Sequence, residues 1–196
     1  MPRYSDDDPY LDAASGVLKN RLGIADAATL EQAEAALVAT RSYELSTTAL
    51  TGRFDIDHLR AIHRYLFGDV YEWAGQFRTI DISKGGNLFA HHSHIASAAA
   101  DIFRKLADEK HLIGLDPAAF SARAAHYLGE LNALHAFREG NGREQREFLS
   151  HLAHAAGYYI AWEGVKPQEL LQASIESFRG DVSELASLIG QSIHQS

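Results

Sequence analysis

The chain has 196 residues, 46% hydrophobic and 22% charged, enough to bury one sizeable core without demanding a second. Its 18 Lys and Arg against 26 Asp and Glu leave a formal charge of −8, a field that repels nucleic acid, and no basic run reverses it locally. Cysteine is absent, which excludes disulfides, thiolate catalysis and sulfur-ligated metals within the chain, and no apolar run is long enough to span a bilayer.

In chain order, "MPRYSDDDPYLDAASG" lacks the apolar core of a secretory signal, so a cytoplasmic location is expected. Residues 1–25 read as a loose polar segment, with the triple aspartate as a solvated tail. Asp26 or Thr29 then caps an alanine-rich helix running to about Tyr43. Leu59, Ile62, His63, Leu66 and Phe67 recur at i, i+3, i+4, i+7 and i+8, with Asp55 as cap and Gly68 as stop, so a helix is predicted between them. Next, Thr79, Asp81 and Ser83 alternate with Ile80 and Ile82 before Gly85-Gly86. Period two followed by a Gly-Gly turn predicts a short β-hairpin over 78–92, the one hairpin in the chain. Helical spacing resumes with Ile95, Ala98, Ala99, Ile102, Phe103 and Leu106, and Asp116-Pro117 is a cap followed by a first-turn proline. Three further helices are expected: one through Phe148, Leu149 and Leu152 to Gly157, then 167–178 and 182–189. The expected fold is all-α with one short hairpin, a single domain over 1–196.

Between two of these helices lies "HAFREGNGREQR", residues 135–146. Gly140 and Gly142 permit conformations and close approaches that a Cβ forbids, and the helix that follows offers unpaired N–H groups and the positive end of its dipole. Together they form an anion cradle suited to phosphate. Asn141 could add a side-chain amide donor. Arg143 and Arg146, three residues apart, fall on neighbouring turns of one face and can converge on a polyphosphate. Glu139 beside such a ligand is repulsive unless a hard cation such as Mg²⁺ lies between them. His135, at the end of the preceding helix, can act as general base for an incoming hydroxyl. Phe137 reads as an apolar pin into the core.

This run resembles the FIC-domain signature HxFx(D/E)GNGRxxR, which His135, Phe137, Glu139, Gly140, Asn141, Gly142, Arg143 and Arg146 match without a gap. "IHRYLFGDVYEWAGQFR" and "DISK…FAHHSHI" extend the resemblance, to bacterial FIC toxins of the FicT and VbhT type, over nearly the whole chain. One departure is Ala136, where many members have proline; altered loop rigidity is expected. The resemblance implies a protein adenylyltransferase that moves AMP from ATP to a target hydroxyl. In it His135 takes the proton, Glu139 holds Mg²⁺, Gly140, Asn141 and Gly142 bind the α- and β-phosphates, and Arg143 and Arg146 bind the β/γ end. It makes the hairpin, with Ile82, Ser83 and Lys84, a flap that registers the target by main-chain pairing. It further implies type II topoisomerases, gyrase and topoisomerase IV, as targets, and a toxin–antitoxin pairing. The family's inhibitory motif [ST]xxxE[GN] has no copy in this sequence, so a small antitoxin is expected to supply a glutamate opposite Arg146. The intact GNGR favours nucleotidyl over phosphoryl transfer. Alternatives are transfer of a phosphoryl or phosphocholine group, or a silent nucleotide-binding module; a domain of a translocated effector is the alternative to a free cytoplasmic toxin.

Elsewhere, His91, His92 and His94, or His151 with His154, could ligate a metal. Without an HExxH motif or a carboxylate cluster they read as solvated or core-edge residues. Trp73 and Phe77 read as core.

Overall fold

A computed structural model describes residues 8–48, 50–84 and 86–196. Among them are seven α-helices and two small antiparallel strand pairs. Helix α1 (Ala27–Thr47) starts where the Asp26 carboxylate accepts from the Thr29 amide, and it runs a turn beyond the Tyr43 expected. Helix α2 (Ile56–Phe67) begins at Asp55 and stops at Gly68, burying Leu59, Ile62, His63, Leu66 and Phe67 as their spacing requires. Helix α3 (Ile95–Asp108) buries its predicted stripe except Ala98, which is half-buried. Helix α4 (Pro117–Leu134) carries apolar residues on several faces and is therefore the central element, packed by α3, by α5 (Asn141–Ala155), by α6 (Pro167–Phe178) and by α7 (Ser183–Ser192). No helix among the described residues is long and apolar enough to cross a membrane.

The hairpin is shorter than its alternating sequence suggests. Only β1 (Ser83–Lys84) and β2 (Asn87–Leu88) pair, with Ser83 opposite Leu88 and Lys84 opposite Asn87. The reason lies below them. Arg78, 2% exposed, drives its guanidinium between the two legs and donates to Ile80 O (2.7 Å) and Ala90 O (2.5 Å), so carbonyls that a longer ladder would use are bonded to a side chain. A second pair, β3 (Tyr158–Ile160) with β4 (Ile193–Gln195), was not expected from the sequence.

The reading of residues 1–25 as loose is corrected for 8–25; residues 1–7 lie outside the described residues. Leu11 bridges Leu18, Val17 is buried, and the Arg21 amide donates to Val70 O (2.8 Å). Asp8, the last of the triple aspartate, is no solvated tail. Its carboxylate is buried against the guanidinium of Arg138 at 2.6 Å, which ties this strap to the 135–146 loop.

Candidate active site

The loop between α4 and α5 is held from beneath by α2. His63 is fully buried, its ring stacked on Phe137 at 3.8 Å and on Phe67 at 4.7 Å. Its Nδ1 accepts from the Gly75 amide (2.9 Å), so Nε2 carries the proton and donates to Glu139 O (3.0 Å). Burial pushes the His63 pKa down to about 3, so the ring stays neutral and the tautomer stays fixed. Phe137 is the buried pin its residue type suggested. Gly140 is required sterically: φ is +82° and a Cβ would stand 2.3 Å from Cζ of Phe67.

Asn141 has a structural role that the sequence did not suggest. It is buried, accepts the Phe137 amide on Oδ1 (2.9 Å) and donates Nδ2 to Phe137 O (2.8 Å). Its amide clasps the loop with Oδ1 and one Nδ2 hydrogen, leaving the second Nδ2 hydrogen as its only side-chain donor for phosphate. At Gly142 a Cβ would meet only Arg146 Nη1, at 3.6 Å, so protein packing does not demand glycine and the space opens towards the arginine. Helix α5 starts at Asn141 with no side-chain cap, leaving first-turn N–H groups for an anion.

His135 caps α4 in the left-handed region, φ 46°, its amide donating to Leu131 O (3.0 Å). The ring lies flat on Phe89 at 3.8 Å, and Nδ1 donates to Asn132 O (3.3 Å), which leaves the Nε2 lone pair available. Burial, with the charges of Lys84 and Arg78 adding to it, lowers its pKa to about 4, so His135 is neutral near pH 7. A pocket of ≈ 50 Å³ in front of it is lined by Ile82, Ser83, Lys84, Phe89, Arg138, Glu139 and Asn141. The three flap residues singled out from sequence therefore meet the histidine and the carboxylate.

The arginines face a different space. Arg143 pairs with the buried Glu34 of α1, which also accepts from Tyr71 Oη, and it lies over the Phe67 ring at 4.7 Å. Among the described residues the Arg146 guanidinium makes no hydrogen bond or ion pair, and burial lowers its pKa. Both line a cavity of ≈ 700 Å³ between α1, α5 and β3, walled by Val38, Tyr43, His151, Tyr158 and Trp162. The cavity lining is mixed, with Ser42, Glu147 and Ser150 beside the apolar walls, and a partly desolvated cation in it calls for an anion. The Glu139 carboxylate, at the loop mouth, accepts from the Gly140 amide at 3.0 Å and stands 3.9 Å from Arg143 Nη2. It fits a magnesium ion, which one or two carboxylates and phosphate oxygens ordinarily hold.

The Fic/DOC family profile matches residues 53–153. The chain belongs to that family. VbhT, a protein adenylyltransferase of Bartonella schoenbuchensis, is 52% identical over 98% of this chain, which spans 41% of VbhT. The Escherichia coli K12 protein named "Probable protein adenylyltransferase Fic" is 36% identical over 96% of this chain and 93% of its own length. The N-terminal Fic domain of a VirB-translocated Bep effector from Bartonella quintana, solved with bound ADP, superposes with a TM-score of 0.92 at 30% identity, covering 95% of each chain.

Sequence reasoning did not find His63, Arg78, the Asp8–Arg138 pair or Glu34. His63 left one signal, a histidine at an apolar stripe position. Ala136 is buried and its carbonyl accepts the Arg78 amide (3.0 Å), so the position that departs from the family pattern is fastened by its backbone.

Proposed function

We propose that the chain transfers AMP from ATP to a hydroxyl side chain of a protein docked along the flap, as a protein adenylyltransferase of the Fic family. The observation that carries this is His135, neutral and with its Nε2 lone pair presented to the flap pocket. The target oxygen attacks the α-phosphorus, the bond to the β-phosphate breaks, pyrophosphate leaves, and Nε2 takes the hydroxyl proton. Arg146 holds the far end of the polyphosphate, and the amides at the start of α5 hold its middle. Glu139 would hold Mg²⁺, which neutralises charge on the phosphates when bound. Arg143, engaged with Glu34, gives the phosphates a second cation of fixed position.

The finer assignment places the targets among the ATPase subunits of gyrase and topoisomerase IV, modified on a tyrosine. It rests on the FicT-type resemblance. Toxin–antitoxin pairing fits the cavity beside α1: a groove of mixed lining that contains the unpaired Arg146 guanidinium suits a partner helix that brings a carboxylate. Purified subunits incubated with ATP labelled at the α or γ phosphate test the reading. Label from the α position alone is expected. Label from γ alone would refute AMP transfer, and α label on other lysate proteins but not on these subunits would refute the target assignment only.

A further inference from the structure

We propose that Asp81, His91 and His92 form a divalent transition-metal site that clips together the two legs of the flap. Asp81 lies on the leg that enters the flap, and the histidines lie on the leg that leaves it. His92 Nδ1 is 3.0 Å from Asp81 Oδ1 and His91 Nε2 is 3.2 Å from Oδ2, and one ligand atom from each residue lies within 4.8 Å of the others. Bonds of about 2.0–2.1 Å to zinc in a tetrahedral site separate ligand atoms by roughly 3.4 Å, so the two histidine–carboxylate contacts open by a few tenths of an ångström, and rotation of the exposed imidazoles closes whatever separation remains between them. Two imidazoles and one carboxylate suit zinc, nickel or copper rather than magnesium, and leave a fourth position to water.

The surroundings are those of a ligating set. His91 Nδ1 accepts the Ser93 amide at 3.4 Å and sits 2.8 Å from the Ser93 hydroxyl, so Nε2 carries the proton towards Asp81; a metal displaces that proton, and the ring then binds through Nε2 with the Ser93 hydroxyl positioned to accept from Nδ1. The His92 amide donates to Asp81 Oδ1 at 2.8 Å, orienting the carboxylate without using all its lone pairs. Those hydrogen bonds, and His91 beside the carboxylate, hold Asp81 below the usual carboxylate range, so it is ionised at neutral pH. All three side chains reach solvent, so an ion can enter. The opposing charge is Arg78, with Nη1 3.8 Å from Asp81 Oδ1; its donors are already engaged by the carbonyls of Ile80 and Ala90. Since paired strand covers only two residues a side, a cross-link at residues 81 and 91–92 is a substantial addition to what holds the flap closed.

The test is equilibrium dialysis of the chelator-treated full chain against zinc, with metal analysis. One zinc per chain is expected, weakened by more than about 100-fold in each of Asp81→Asn, His91→Gln and His92→Gln, and retained in Glu139→Gln, which removes the other candidate ligand. Hydrogen exchange at the Phe89 amide, which bonds Ile82 O across the legs at 3.3 Å, should slow on zinc addition in the parent chain alone. Failure to retain zinc at micromolar free metal, or equal retention by all three variants, would overturn the proposal.

Discussion

Replacing Asn141 by alanine separates two roles that the motif alone cannot. In the structure the side chain makes two buried hydrogen bonds to one residue, the amide and carbonyl of Phe137. Removing it leaves a donor and an acceptor stranded away from water, each costing about 1–3 kcal/mol, so a loss of roughly 2–6 kcal/mol is expected. For a domain of this size each kcal/mol lowers Tm by about 2–4 °C, which puts the shift near 6–12 °C for a loss of about 3 kcal/mol. Urea unfolding and thermal scans measure it, and calorimetric titration of ATP into the folded variant at low temperature measures the donor site. Transfer should fall, because the clasp fixes the chain between His135 and Glu139. If Tm were unchanged while ATP affinity collapsed, Asn141 would be a phosphate ligand and the clasp would be incidental.

Two further predictions concern the same loop and its supports. Gly140→Ala should cost about 2–4 kcal/mol, the sum of left-handed strain and the overlap with Phe67; a variant as stable as the parent in urea would contradict the packing. Burial lowers the pKa of His58 and of His135 from 6.5 to about 4, and of His63 to about 3, so the unfolded chain binds these protons first. Their contribution is complete above pH 6.5 and is lost as pH falls towards 4. Glu144, fully enclosed and pushed well above its ordinary 4.5, acts in the opposite sense over part of that range. Three histidines against one carboxyl leave a net uptake of up to about two protons on unfolding, a slope of at most about 2.7 kcal/mol per pH unit. Urea midpoints measured across this interval should decline with acidity, and a flat profile would show that the histidines are not buried neutral.

The active-site loop was legible because its groups are contiguous: an order of base, carboxylate, glycines and arginines can be read in twelve letters. The helices were legible where an apolar stripe, a capping aspartate and a stopping glycine agreed, as they do for α2. What was missed depends on partners far off in the chain. Asp8 reaches Arg138 across 130 positions, and nothing local distinguishes it from the two aspartates before it. The β3–β4 pair joins two three-residue segments, too short for alternation to register. The hairpin was overextended because its alternation is real, while the bonds that would make a ladder go to Arg78 instead. The clasp made by Asn141 was not legible because an asparagine between glycines suits either a donor or a clasp, and the position of Phe137 is not written in the local sequence. The histidines at 91 and 92 were set aside for want of a carboxylate, which the fold supplies from Asp81.

Under the proposed function the site has an acceptor side, where His135 faces the flap pocket, and a donor side, where Arg146 would meet the polyphosphate. The most direct test of that division is to measure ATP binding by calorimetry and AMP transfer under the same conditions for His135→Ala and Arg146→Ala. His135→Ala should lower transfer by about 10²–10⁴ while leaving the ATP Kd within about twofold, and Arg146→Ala should weaken ATP binding itself. Loss of ATP affinity in His135→Ala equal to that in Arg146→Ala would contradict the division.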